Sequence, residues 1–341
     1  MATYRAGILG LGRMGSTIDE EVKDYPAFPL PYSIAGSCEA SECLELIAGA
    51  DLLPEKREAF TERWGVRAVY DDFREMIRQE GLDLVAICTK GENHAELAVA
   101  VAEAGVPMMY LEKAMACSMV EADTVLHACQ ANSVAFNTGV LRRFDNRYHK
   151  LRELIEQGAI GQPRAAVHYA GSSLLHGHIH SLDTILYLLG DPPATTVWGE
   201  LRPRELAFEN NRLGQDPAAI YHVEFEGGVE AWTVPAGNWD FEVIGTEGRV
   251  RMLNNGQDAE MHQNRQVSEK RSKHVPVPVP AVEPYSSTRF CLEDLVRAHE
   301  TGEPSLGNVE VTHRCTDLCF CIAESHRTGK RNTPPLANRE L

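Results

Sequence analysis

Three histidines stand at alternate positions in the stretch LLHGHIHSLD, at 176, 178 and 180. In an extended chain, side chains two residues apart point to the same side. A strand here would therefore gather three imidazoles, a set zinc can use, with Asp183 close behind. A single imidazole titrating near neutrality would instead serve as a proton acceptor and donor. A second chemistry is written near the start of the chain, where GLGRMG sets Gly10, Gly12 and Gly15 at the G-x-G-x-x-G spacing. The first glycine makes the turn, the second lets a pyrophosphate approach the backbone, and the third lets a helix pack on a strand. Arg13 and Met14 fall inside that turn, where the free N–H groups of a helix start meet the anion.

A dinucleotide also needs a carboxylate for its ribose hydroxyls, at the end of the second strand. Asp51, closing LELIAGAD, fits that place. It would repel a 2′-phosphate, which favours NAD over NADP. Asp51 lies about forty residues after Gly10, where about twenty is usual. The excess is DEEVKDYPAFPLPYS, residues 19–33, with three prolines and three aromatics. It reads as a surface insertion, with a flap over cofactor or substrate as the alternative.

These residues need elements to hold them. YRAGIL is a short apolar strand leading into the glycine turn, and further apolar runs follow at LELIAGAD, LDLVAICT, PMMYLEK and SVAFNTG. Helix-like stretches lie between them: PEKREAFTERWG, DDFREMIRQEG, ENHAELAVAVAEAG and SMVEADTVLHACQAN. Strand and helix alternate to about residue 137, which predicts a parallel sheet with helices on both faces and a ligand crevice at the carboxyl ends of its strands. Beyond residue 140, one helix (DNRYHKLRELIEQG) is followed by runs that pair as hairpins, RAAVHYAG, AIYHVEFEGGVEAWTV and WDFEVIGTEGRVRML. The fold class is α/β. A Rossmann dinucleotide-binding domain over 1–139 precedes an α+β domain over 140–341 with a largely antiparallel open sheet. HVPVPVPAVEP, with prolines that cannot donate to a ladder, reads as an extended linker or sheet edge.

Composition narrows the class. With 33 basic and 49 acidic residues the formal charge is −16, which disfavours nucleic acid and anionic membranes as partners. No run approaches the 18 or so apolar residues of a membrane span. The start lacks the basic and apolar regions of a secretory signal, which points to the cytoplasm. Nine scattered cysteines suit reduced thiols. In HRCTDLCFC, Cys315 and Cys319 sit four apart on a helix, as buried thiols do.

Taken together, GILGLGRMG, LVAICTKGENHAELAVAVAEAGVPMMYLEKAM, RRFDNRYHKLRELIEQGAIGQPRAAVHYAG, HSLDTILYLLGD and FEVIGTEGRVRML resemble, in order and spacing, the glucose-fructose oxidoreductase, inositol dehydrogenase and rhizopine catabolism family of NAD(P)-dependent sugar and polyol dehydrogenases. The resemblance spans nearly the whole chain. It implies that Glu112, Lys113 and Ala114 match the family's Glu-Lys-Pro, with the Lys113 ammonium beside the nicotinamide and the reacting hydroxyl. A cation there stabilises developing alkoxide. Ala114 departs from the family proline. Thr89 precedes Lys90, which takes the place of another proline and faces the pyrophosphate or solvent. His94 matches a histidine near the cofactor, or is a structural residue of a helix start.

The resemblance also sorts the three histidines. His180 becomes the acid–base residue, with Asp183 orienting its ring or serving the helix dipole. His176 stands where the family has an aspartate, either as a substituted hydrogen-bonding partner or as the mark of a changed chemistry. His178 is packing or a substrate contact. Asn137 and Arg143 fall at the domain junction, where polar groups could meet substrate hydroxyls. The implied function is an NAD-dependent dehydrogenase of a sugar, polyol or derivative, homodimeric or homotetrameric. Alternatives are a relative that keeps NAD bound for redox-assisted glycoside cleavage or elimination, a zinc hydrolase using the three histidines, and a non-catalytic NAD-binding regulator.

Overall fold

The computed structural model describes residues 2–341 except 207, 210, 211 and 214. The chain divides into two units, Met1–Phe144 with Tyr285–His313, and Asp145–Pro284 with Arg314–Leu341.

The first unit alternates as the apolar runs require. Its elements are β1 (Tyr4–Leu9), α1 (Asp19–Val22), α2 (Ile34–Glu39), β2 (Leu44–Ala50), α3 (Pro54–Trp64), β3 (Ala68–Tyr70), α4 (Phe73–Glu80), β4 (Leu84–Ile87), α5 (His94–Glu103), β5 (Met108–Leu111), α6 (Met119–Ala131) and β6 (Ala135–Thr138). All strand pairs are parallel, in the order β3-β2-β1-β4-β5-β6. Parallel strands covered on both faces read as continuous apolar runs. β4 (LVAI) and β5 (MMYL) are accordingly buried at every residue. Helix ends follow local chemistry: Asp72 and Ser118 cap α4 and α6 by accepting from the backbone N–H groups of Arg74 and Glu121. The short β3 is one strand that no apolar run announced.

The second unit comprises α7 (Asn146–Glu156), β7 (Pro163–Tyr169), α8 (Ile179–Leu189), β8 (Ala194–Arg202), β9 (Phe208–Glu209), β10 (Arg212–Leu213), β11 (Ala218–Phe225), β12 (Glu230–Val234), β13 (Asp240–Gly245), β14 (Gly248–Leu253), β15 (Asp258–Ser268) and β16 (Arg271–Val277). Eight of these strands form one sheet, β16-β15-β14-β13-β7-β12-β11-β8. Only β12 and β7 pair in parallel within it. One face is the core face, where Ala166, Tyr221, Val223, Phe241 and Val243 are buried. On the other, Trp232 and Val234 are 43% and 39% exposed. The proline-rich stretch begins inside β16, the edge strand, where Pro276 costs no ladder bond that the sheet needs.

Two helices close the chain, α9 (Ser287–Thr301) and α10 (Val309–Thr328). Here the fold differs from a domain running unbroken from 140 to the C-terminus, because residues 285–313 return to the first unit. The cause is apolar burial: Cys291, Leu292, Leu295 and Val296 of α9 enter the same core as Met108, Tyr110 and Phe144.

The insertion at 19–33 is fastened down. The Asp19 carboxylate accepts from the backbone N–H groups of Tyr32 (2.5 Å) and Ser33 (2.9 Å). The carbonyls of Pro31 and Tyr32 accept from the hydroxyls of Ser286 and Thr288. It is a packed surface segment of the first unit.

Candidate active site

In the first unit, β1 runs into a turn that only glycines can make. Gly10 has φ +89°, and a Cβ there would lie 2.7 Å from the Cys88 carbonyl oxygen. A Cβ on Gly15 would lie 2.2 Å from the Gly10 carbonyl oxygen, well inside contact distance. At Gly12 the space is open except for Lys56, whose Nζ would be 3.4 Å from the added atom. The chain then enters a helical turn, Arg13–Thr17, with no side-chain cap at its start. That is a cradle for a pyrophosphate. Arg13 Nε pairs with Glu21 at 2.6 Å on the exposed surface, and Met14 packs against the core.

Asp51 follows the last residue of β2 and is largely enclosed. Its Oδ2 accepts from the Leu11 N–H (2.9 Å) and its Oδ1 from the Leu53 N–H (3.1 Å). Lys56 Nζ stands 3.7 Å from Oδ2. The carboxylate is thus aimed at the glycine turn despite the long spacing in sequence. Residues 19–33 are accommodated before β2 begins.

At the ends of β4 and β5 the chain is braced by side chains. His94 is wholly buried, with Nδ1 2.6 Å from the Ala114 carbonyl oxygen and Nε2 3.1 Å from that of Thr89. Glu112 Oε1 accepts from the Tyr110 hydroxyl (2.6 Å) and Oε2 from the Lys113 N–H (3.1 Å). Burial first, and then the Glu112 charge, push the Tyr110 phenol well above its ordinary range, so it stays a donor. Lys113 is half-buried just past the carboxyl end of β5, and its peptide bond to Ala114 is cis. Lys90 is exposed, and the Thr89 hydroxyl lies 3.5 Å from the Lys90 carbonyl oxygen.

In the second unit the histidine stretch is not extended. Leu174–His178 is a π-helical turn leading directly into α8. Residues two apart on a helix point in different directions, and the three rings are separated accordingly. His176 is exposed, His178 is buried and His180 is half-buried. This corrects the reading of three imidazoles on one side, as a strand would give. Asp216 holds the turn by accepting from the Leu175 N–H (2.8 Å) and the His176 N–H (2.7 Å). Among the described residues, no group of three or more His, Cys, Asp or Glu side chains is placed to hold a metal.

His178 belongs to the core. Its Nε2 donates to the Ala219 carbonyl at 2.8 Å, Nδ1 lies 3.1 Å from Ser181 Oγ, and the Tyr221 ring meets it edge-on. Burial lowers its pKa to about 4, against smaller opposing effects of the Ala219 carbonyl and the Asp216 charge. It is therefore a neutral ring near pH 7. His180 lies in the first turn of α8, its ring 6.4 Å from that of Trp239 and nearly perpendicular to it. Asp183 follows in the same helix, 2% exposed. Trp239, at φ +58°, also packs on the buried His168 ring at 4.9 Å.

Two expected substrate contacts are buried. Asn137 has no exposed surface, and its amide is spent inside the first unit. Nδ2 donates to the Cys291 carbonyl (2.9 Å) and Asp294 (3.1 Å), and Oδ1 accepts from the Gly307 N–H (3.0 Å). Arg143 is 1% exposed, with Nη1 3.4 Å from the Leu306 carbonyl oxygen. Sequence reasoning missed Lys56 and Asp216. Lys56 was legible as a cation five residues past the ribose acid, whereas Asp216 sits about forty residues from the turn it caps, with no local signal.

The residues present fit a dinucleotide: a glycine cradle, an uncapped helix start and a carboxylate aimed at the turn. Comparison with known proteins agrees. The model of an oxidoreductase family with an NAD-binding Rossmann fold matches residues 4–140. Myo-inositol 2-dehydrogenase of Thermotoga maritima is 26% identical over 201 residues, 55% of each chain. Scyllo-inositol 2-dehydrogenase (NAD(+)) of Bacillus subtilis is 27% identical over 266 residues, 72% of each. The match thus spans about half the length of the first relative and more of the second.

Solved structures extend the likeness in fold. Aldose-aldose oxidoreductase from Caulobacter crescentus, complexed with glycerol, superposes with a TM-score of 0.79 at 21% identity, over 97% of this chain and 99% of that one. An oxidoreductase from Agrobacterium radiobacter, in complex with NAD+, L-tartaric acid and magnesium, gives 0.73 at 15%, over 97% and 98%. With its glycine cradle inside the matched region, the chain over residues 4–140 matches the glucose-fructose oxidoreductase, inositol dehydrogenase and rhizopine catabolism family of oxidoreductases, and its similarity to inositol dehydrogenases extends beyond that region.

Proposed function

We propose that the protein is an NAD-dependent dehydrogenase that oxidises a secondary hydroxyl of a polyol, sugar or sugar derivative. The observation that carries this reading is the enclosed Asp51 carboxylate aimed at the glycine cradle. The inositol dehydrogenases among the relatives support a polyol substrate. Asp51 favours NAD, because its charge opposes a 2′-phosphate. Bound NAD supplies the hydride acceptor, nicotinamide C4.

The chain's own residues handle the proton. In this reading the His180 imidazole takes the hydroxyl proton as the carbon loses hydride, and Asp183 orients the ring. The Lys113 ammonium stabilises the alkoxide character that develops on the same oxygen. Glu112 and His94 fix the backbone on either side of Lys113. His176 is a substrate contact at the exposed end of the turn, and Thr89 and Lys90 meet the cofactor's phosphates.

The nine cysteines, scattered through a large chain, suit the reduced thiols of a cytoplasmic setting. No helix among the described residues is long and apolar enough to cross a membrane. The exposed Trp232 and Val234 on the sheet support a homodimer or homotetramer built on that face.

The test is a panel of inositols, sugars and sugar acids assayed for NADH formation. Lys113→Ala and His180→Ala should each lower kcat by about a hundredfold or more while leaving NAD binding within about threefold. Turnover of no member by a protein that binds NAD, or unchanged kcat in both variants, would sink the reading.

A further inference from the structure

The ribose carboxylate does not stand alone. Lys56, at the start of α3, places its ammonium 3.7 Å from Asp51 Oδ2, and the same Nζ would be 3.4 Å from a Cβ on Gly12. It overhangs both places where a dinucleotide carries or approaches negative charge near its adenosine half. The side chain is 42% exposed, so its stem can swing without disturbing the core. Its neighbour Arg57 is committed elsewhere, donating to the carbonyls of Asp51 (2.6 Å) and Leu52 (3.1 Å). Arg13, the other cation of the turn, is paired with Glu21.

We propose that Lys56 is a specificity-determining residue that admits NADP as a second cofactor, by moving its ammonium from Asp51 onto the 2′-phosphate. With the 2′-hydroxyl of NAD, Lys56 stays on Asp51 and the carboxylate accepts the ribose. With a 2′-phosphate, two anions would meet at one point, and the ammonium is the group within reach that offsets them. A charge-assisted contact of this kind is strong and geometrically undemanding for a lysine. NAD remains preferred, because Asp51 is held in place by two backbone N–H groups and cannot withdraw.

The inference rests on the dinucleotide reading and is independent of the substrate. Titration calorimetry of the full chain with NAD and NADP separates the two. Wild-type protein should bind NADP within about thirtyfold of NAD. Lys56→Met should weaken NADP by about tenfold or more and NAD by less than about threefold, and Lys56→Arg should restore NADP. Equal weakening of both cofactors would place Lys56 on the shared pyrophosphate and overturn the proposal, as would a wild type that binds NAD but shows no NADP binding. Failure to bind either cofactor would overturn the dinucleotide reading itself, whereas good binding without polyol turnover would overturn only the proposed reaction.

Discussion

One imidazole ties the end of β4 to the chain beyond Lys113: His94 reaches the Ala114 carbonyl oxygen at 2.6 Å and the Thr89 carbonyl oxygen at 3.1 Å. The ring is wholly buried, so it acts through the backbone it holds. His94→Ala should cost about 2–4 kcal/mol of stability, from lost bonds and the cavity left behind. It should lower kcat by about tenfold or more, since a misplacement of the order of an ångström at Lys113 is enough. The KM for polyol should move by less than about threefold. Melting curves and steady-state kinetics check both, and a KM effect larger than the kcat effect would place His94 in substrate binding.

Asn137 binds α9 and the segment at Gly307 to β6 through three hydrogen bonds. Asn137→Ala should therefore destabilise the protein by about 2–4 kcal/mol, leaving buried partners unsatisfied. Its KM for substrate should stay near that of the wild type. A raised KM at unchanged melting temperature would contradict this placement.

The third glycine of the cradle permits no side chain. Gly15→Ala puts a methyl group 2.2 Å from the Gly10 carbonyl oxygen, so the helix start must move away from β1. Cofactor affinity should fall by about a hundredfold, equivalent to about 3 kcal/mol. Quenching of intrinsic fluorescence by NADH would measure it. Gly81→Ala, at a helix end with no atom within 4 Å of the added Cβ but with φ +55°, should cost some stability and leave affinity unchanged.

His178 gives the second unit an acid limit. Burial lowers its pKa to about 4 from an unfolded value of 6.5. Between those values the unfolded chain binds more protons than the folded one. Stability therefore falls as pH drops through that window, and the contribution is complete above about pH 6.5. At 1.36 kcal/mol per unit, the loss is no more than about 3 kcal/mol. Urea unfolding at pH 7.5 and pH 4.5 should show a smaller difference for His178→Gln than for the wild type. Equal differences would mean that His178 does not set the limit.

The first unit was legible where the sequence repeats a simple physical demand. Apolar runs such as LVAI and MMYL must be covered on both faces, and a glycine triplet after such a run has few other uses. The candidate cofactor residues Gly10, Gly15 and Asp51 were recoverable for that reason. The histidine stretch misled because alternation has two readings. A strand brings residues two apart together, whereas a helix separates them, and HGHIH contains no residue that decides. The apolar run after it, ILYLL, favours the helix and could have arbitrated. The placement of Asn137 was illegible for a different reason. Its partners Cys291, Asp294 and Gly307 lie more than 150 residues away, and nothing local marks such a bond.

The return of residues 285–313 to the first unit bears on synthesis as well as on architecture. Until α9 has left the ribosome, the surface formed by Met108, Tyr110 and Phe144 lacks the part of its cover that Cys291, Leu292, Leu295 and Val296 supply, and a nascent chain folds from its N-terminus forward. The nucleotide-binding half, although encoded first, is completed almost last. Premature termination anywhere before α9 would therefore release a sticky, unfinished Rossmann sheet instead of a usable domain.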